Sequence, residues 1–116
     1  MKKIITIIIA CFIGTASFCQ SKISIDSASA HVGDSVTICS KVYGIKALEK
    51  ITFINLGAEY PNSPLTVVIL EENQSKFPQT IETMYDNKNI CVSGKIKEYK
   101  GRYEIEVYNP AQIATE

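Results

Sequence analysis

The sequence predicts an all-β protein, a closed barrel of five short strands with one short helix between the third and the fourth. Three observations predict it. Apolar and polar residues alternate with a period of two in several short segments, as half-buried strands require. Clusters of Gly, Pro, Asn and Asp punctuate those segments. Only one segment, around Ile81, Met84 and Tyr85, has the three- and four-residue spacing of an amphipathic helix.

Residues 1–19 stand apart from this pattern. Lys2 and Lys3 precede an apolar run from Ile4 to Ile13, and Gly14, Thr15, Ala16 and Ser17 follow it, the anatomy of a cleavable secretory signal. The run of ten residues is half of the ~20 that a membrane-spanning helix needs, so no transmembrane segment is expected after processing. Cleavage after Cys19 puts Ser17 and Cys19 at the small-residue positions and leaves Gln20 first, and cleavage after Ser17 fits nearly as well. A lipid anchor fits less well. Cys11, behind Ile8, Ile9 and Ala10, comes too early for a lipobox, and Cys19 follows the large Phe18. The expectation is an exported protein, periplasmic or secreted, with a signal peptide at 1–19 and one domain at 20–116.

That domain has 97 residues, enough for a single modest core. Without Lys2 and Lys3, ten basic residues face twelve acidic ones. This balance exerts no general pull on a polyanion, so nucleic acid would have to be held by a local basic patch. Of the four cysteines, Cys39 and Cys91 remain in the domain. In an oxidising compartment they either pair or persist as two buried thiols, and the residues alone leave both readings open.

Along the chain, Val32-Gly33-Asp34 is a turn that launches the first strand, Ser35 to Val42. Val36, Ile38, Ser40 and Val42 share one face, and Thr37, Cys39 and Lys41 the other. After a loop around Tyr43, Gly44 and Ile45, a second strand runs from about Lys50 to Leu56, rich in β-branched and aromatic residues. Its pattern leaves open whether Phe53 or Ile54 faces outward. Glu59 to Pro64 is turn chemistry, because its two prolines lack the donors a sheet interior needs. The third strand, Leu65 to Leu70, is almost wholly apolar. Pro78 suits the first turn of the helix, Phe77 can staple it, and Asp86, Asn87 and Lys88 end it. In the fourth strand, Asn89 to Lys97, Ile90, Val92, Gly94 and Ile96 alternate with polar residues. The turn Tyr99-Lys100-Gly101-Arg102 then leads to a fifth strand, Tyr103 to Tyr108, with Tyr103, Ile105 and Val107 opposite Glu104, Glu106 and Tyr108.

This element order is that of the OB-fold, a partly open five-stranded Greek-key barrel. An SH3-like barrel is the nearest alternative, but it has no natural place for a helix before its fourth strand, and an immunoglobulin sandwich needs about seven strands. The segments VGDSVTICSKV (Val32 to Val42), ITFINLG (Ile51 to Gly57) and ICVSGKIKEYKGRYEI (Ile90 to Ile105) resemble exported bacterial OB-fold proteins of the nucleic-acid-binding type, over nearly all of Ile25 to Ile113. The resemblance implies the fold, and nucleic-acid binding only as far as a fold can imply it. It also implies that the first and fourth strands are antiparallel neighbours. Cys39 and Cys91, both on the face away from the apolar stripe, would then form a cross-strand disulfide if the register sets them opposite.

No catalytic constellation is legible. His31, the sole histidine, sits in the turn before the first strand and has no nucleophile to serve. A structural zinc site takes about four Cys or His ligands, and the domain offers three, far apart, so neither a metal nor another cofactor is expected. Glu104 and Glu106 read as the solvated face of a strand and not as a paired-carboxylate site. A nuclease of the staphylococcal type shares the barrel but uses several arginines, and Arg102 is the only one here.

Binding remains. OB-folds bind through the faces of their second and third strands and the loops joining strands one to two and four to five. The first loop carries Tyr43, Lys46 and Lys50, and the second Tyr99, Lys100, Arg102 and Tyr103. Phe53 or Ile54 lies between them, with Asn55 as a hydrogen-bonding neighbour. A ring stacked on a base contributes about 1 to 3 kcal/mol and cations track phosphates, so single-stranded nucleic acid is the expected ligand of these residues. The plainer reading is that Tyr43 and Tyr103 pack the barrel end and Lys100-Gly101-Arg102 is a solvated turn, since Glu98, Glu104 and Glu106 offset the positive charge. The alternative function is an envelope protein that binds a protein or saccharide partner through the barrel face. The oligomeric state is not legible.

Overall fold

A computed structural model describes residues 21–116. The expected signal segment and its cleavage position lie outside them. Seven strands occur among the described residues: β1 (Ser21–Ile23), β2 (Ser35–Ala47), β3 (Ile51–Leu56), β4 (Leu65–Leu70), β5 (Asn89–Tyr99), β6 (Arg102–Glu106) and β7 (Ile113–Thr115). Five of them close a ring in the order β2, β3, β4, β6, β5 and back to β2. Every pairing in the ring is antiparallel except that of β4 with β6, which is parallel. The two strands that the sequence pattern does not reveal lie outside the ring: β1 runs parallel to β2 and β7 antiparallel to β5. Each has three residues, too few for an alternation to show.

The first ring strand differs from its expected extent. It continues through the segment read as a loop and ends at Ala47, because it changes partner on the way. Ser35–Lys41 pairs with β5, whereas Val42–Ala47 pairs with β3. The register slips between Val42 and Gly44, which leaves Tyr43 as the extra residue of a bulge. A bulge sharpens the local bend and twist, and here it carries one strand round the corner of the barrel.

Inward residues from all five strands fill the barrel, among them Val36, Ile38, Ile54, Leu56, Val67 and Ile105. Leu65 to Ile69 of β4 are all buried, which is why that segment reads as an almost wholly apolar run. Gly94 takes an inward position where a Cβ would lie 2.5 Å from Ile105 Cγ2, so its missing side chain lets β5 approach β6. At the hairpin between these strands, Lys100 and Gly101 both have positive φ, 52° and 79°. That is the type I′ geometry that a two-residue connection favours.

The expected helix is α2 (Ile81–Tyr85), shorter than anticipated because Pro78 lies ahead of its cap and not in its first turn, and a second short helix that was not expected, α1 (Glu71–Gln74), directly follows β4. Thr80 caps α2, its Oγ1 accepting from the Thr83 N–H at 3.2 Å. Ile81 and Tyr85 are buried, Met84 packs beside them, and Phe77 meets Tyr85 edge-on with ring centres 6.2 Å apart.

Cys39 and Cys91 stand directly opposite in the β2–β5 ladder and are joined as a disulfide, with Cα atoms 3.9 Å apart. The link spans 52 residues of sequence, so loop closure in the unfolded chain is worth about 4 kcal/mol. Replacing both by alanine (Cys39→Ala with Cys91→Ala) is expected to lower the unfolding free energy by roughly that amount. Urea denaturation followed by circular dichroism measures it. A loss below about 1 kcal/mol would contradict the entropic account.

Candidate functional site

The ring positions that point away from the core create a groove of about 820 Å³ over β2, β3, β4, β6 and the end of β5. The ladders dictate its floor. One rung is Lys46, Phe53, Val68 and Glu106, and the next is Gly44, Asn55, Thr66, Glu104 and Lys97. Ile51 opposite Leu70 extends the apolar end, and Tyr99 opposite Arg102 lies at the other. The period of two on β3 sends Thr52, Ile54 and Leu56 inward and Ile51, Phe53 and Asn55 into the groove, so Phe53 and not Ile54 faces a ligand.

Three exposed tyrosines stand at the rim, each with a cation over its ring. Lys41 Nζ is 5.4 Å from the centre of Tyr43, Lys100 Nζ 5.3 Å from that of Tyr99, and Arg102 Cζ 4.7 Å from that of Tyr60. Tyr43 owes its place to the bulge, Tyr99 to the hairpin and Tyr60 to the turn between β3 and β4. Arg102 also donates from Nη2 to Ser63 Oγ at 3.4 Å. Ser63 and Thr66 in turn donate their hydroxyls to Asn55 Oδ1, each at 3.3 Å. A polar relay thus runs from the rim to the middle of the floor.

The charges are mixed. Lys97 Nζ bonds Glu106 Oε1 at 3.1 Å, while Lys46, Lys100 and Arg102 have no carboxylate partner among the described residues. Glu104 is half-buried, and desolvation raises its pKa above the ordinary glutamate value against the opposing pull of Lys97 and Arg102, with Glu106 adding to the rise. Glu104 and Glu106 lie on the face of β6 away from the core, where both are half-buried and line the groove.

Of the residues selected from sequence, Tyr43, Lys46, Phe53, Asn55, Tyr99, Lys100 and Arg102 all border this groove. Lys50 and Tyr103 do not. The Lys50 carbonyl accepts from the Glu71 N–H at 3.0 Å, and Tyr103 packs partly against the core. Tyr43 and Lys46 are strand residues, not loop residues. Sequence reasoning missed Tyr60, Ser63, Thr66 and the two carboxylates. An aromatic residue within a proline-bearing turn was the available signal for Tyr60. His31 lies apart from the groove, with its Nδ1 3.1 Å from Asp34 Oδ2. Cys39, Cys91 and Glu116 lie within 4.8 Å of one another, but the two sulfurs are bonded together and offer no thiolate to a metal.

No protein-family model matches the chain, and no curated protein matches it by sequence. Solved structures do. An aspartyl-tRNA synthetase from Entamoeba histolytica superposes with a TM-score of 0.63 at 17% identity, over 83% of this chain and 21% of that one. The S. pombe Stn1–Ten1 complex superposes with a TM-score of 0.55 at 16% identity, over 71% of this chain and 57% of the other. This chain is an OB-fold. An OBody, AM1L10, described bound to hen egg-white lysozyme, matches at 0.56 and 10% identity over 85% of this chain and 96% of its own. The OB-fold chain described here thus spans about a fifth of the synthetase and nearly all of the OBody.

Because the folded pKa of Glu104 lies above its unfolded value, its ionised form is disfavoured by folding. Its contribution to stability is full below the unfolded pKa and is lost as pH rises through the folded one. Glu104→Gln is therefore expected to raise the melting temperature at pH near 7, and the gain is expected to vanish at pH near 4. Thermal melts at the two pH values check it. An equal shift at both would refute the assignment.

Proposed function

We propose that this protein is an exported, non-catalytic binding module that holds a short stretch of single-stranded nucleic acid in the groove. The observation that carries the reading is the ring of three tyrosine–cation pairs around a floor that mixes apolar and polar residues. A base offers a flat, polarisable face and a phosphate offers a charge, so a strand satisfies both members of each pair at adjacent positions. The likeness to an aminoacyl-tRNA synthetase and to the Stn1–Ten1 complex supports the class of module. The disulfide is compatible with export, and among the described residues no helix is long and apolar enough to cross a membrane.

Stacking outweighs charge in this proposal. Only Lys46, Lys100 and Arg102 are free of carboxylate partners among the groove's described residues, so about three phosphates can be neutralised. For single strands this predicts a slope of roughly −2 in log affinity against log salt, a loss of about 15-fold between 50 and 200 mM. Removing a stacking ring is expected to cost about 1 to 3 kcal/mol, so Tyr60→Ala and Tyr99→Ala should each weaken binding about 5- to 150-fold. Arg102→Ala should both weaken binding and reduce the salt slope by about 0.7. Fluorescence anisotropy with short DNA, RNA and glycan probes at two ionic strengths measures all of these. Absent or salt-independent binding to single strands would defeat the proposal.

A second reading, a protein or saccharide partner, draws on one specific feature. The centre of the floor carries Glu106 already paired to Lys97 and the unpaired Glu104, which discourages a densely charged polyanion. The OBody, similar over 96% of its length, is described as bound to a protein. Retention of a glycan probe, or an envelope protein co-purifying with no nucleic acid, favours this reading.

A further inference from the structure

The rung through the middle of the floor holds two polar groups with nothing to bind. Asn55 is only 7% exposed, and its Oδ1 already accepts from Ser63 and Thr66. Since Arg102 donates to Ser63 Oγ, the Ser63 hydroxyl hydrogen is directed to Asn55 Oδ1, which turns the Asn55 Nδ2 toward the groove. That nitrogen makes no hydrogen bond among the described residues. It lies beside Gly44, where a Cβ would sit 4.0 Å from it, so the bare backbone leaves an open notch above a buried donor. Two strands away on the same rung, the half-buried Glu104 carboxylate makes no ion pair or hydrogen bond among the described residues either. Buried polar groups without partners cost free energy unless something else satisfies them.

A ligand that satisfies both must present an acceptor to Asn55 and donors to Glu104. Neighbouring strands lie about 4.8 Å apart, so the Asn55 and Glu104 backbones stand about 10 Å apart on one face, with the short Thr66 between them and the longer Glu104 side chain able to lean across it. Guanine alone among the bases sets an acceptor, O6, beside two adjacent donors, N1–H and N2–H2. Adenine would turn its N1 acceptor toward the carboxylate, cytosine offers one donor beside two acceptors, and uracil and thymine offer one donor flanked by two acceptors. The flanks suit an upright base. Phe53 and Val68 stand on the preceding rung, and Arg102 stacked on Tyr60 stands beyond the other side.

We propose that the Asn55–Thr66–Glu104 rung reads the edge of a single guanine, with Asn55 Nδ2 donating to O6 and the Glu104 carboxylate accepting from N1–H and N2–H2. The inference rests on the single-strand reading above and assigns its base preference. Loss of the exocyclic amine leaves Glu104 half satisfied, so hypoxanthine, which lacks it, separates this recognition from stacking.

The test is anisotropy of the protein with short thymidine strands whose central base is thymine, adenine, guanine or hypoxanthine. A bidentate base contact discriminates by about 1 to 3 kcal/mol, so the guanine strand is expected to bind about 5- to 150-fold more tightly than the thymine strand, with hypoxanthine between. Glu104→Gln should abolish the guanine-over-hypoxanthine ratio while retaining the thymine strand. Gly44→Ala, whose Cβ would meet nothing closer than Asn55 Nδ2 at 4.0 Å, narrows the notch and should weaken guanine and hypoxanthine alike. Equal affinity for guanine and thymine strands overturns the guanine assignment and leaves strand binding intact. No affinity for any strand overturns both.

Discussion

The structure depends on one strand serving two partners. Barrel closure needs a strand that pairs with β5 along its first half and with β3 along its second, and β2 does so by bending at Val42–Gly44. Without that change of partner, β3 and β5 would each keep an open edge, and the inward faces of the five strands could not meet round one core. The disulfide fastens the first half of β2 to β5. The bulge fixes the second half and turns Tyr43 out to the groove rim. Fold closure and ligand surface therefore share the same few residues.

Packing and recognition are separated by the two faces of each strand. On β3, Ile54 and Leu56 are fully buried while Phe53 and Ile51 lie in the groove, and on β6 Ile105 is buried between Glu104 and Glu106. A change on the groove face thus leaves the core contacts untouched. Asn55, Thr66 and Val68 are exceptions, because they are buried yet belong to the groove, and Asn55 is held by hydroxyls from the β3–β4 turn and β4. The relay from Tyr60 and Arg102 through Ser63 to Asn55 ties the rim to the floor. Such a network holds its members in one geometry only while every member keeps its partner.

The electrostatics explain why composition says so little about the ligand. With balanced charge overall, the groove still gathers Lys46, Lys97, Lys100 and Arg102 on one surface, but Glu59, Glu104 and Glu106 sit among them. Lys97 is spent on Glu106. The remaining cations stand near aromatic rims, where a low local charge density suits a ligand with flat faces and few phosphates.

Local chemistry determined much of this protein directly from sequence. Period-two alternation set the inward faces of β2, β5 and β6, the Lys100-Gly101 dipeptide set a tight hairpin, and the Ile81/Tyr85 spacing set the piece that plugs the barrel. These features were legible because each depends on residues close together in the chain. Seven of the groove residues were legible too, since aromatics and cations near turns stand out in a short sequence. Other features were decided only by the tertiary structure. The bulge, the continuation of β2 to Ala47, the outward choice of Phe53 and the pairing of Cys39 with Cys91 all follow from which strand lies opposite which, and at what register. The same holds for Tyr60 and Ser63, which both meet Arg102, and for Glu104, which stands opposite Thr66, each across a long separation in sequence. A pattern of alternation tells which face a residue takes, but only the closed ladder tells which neighbours share that face.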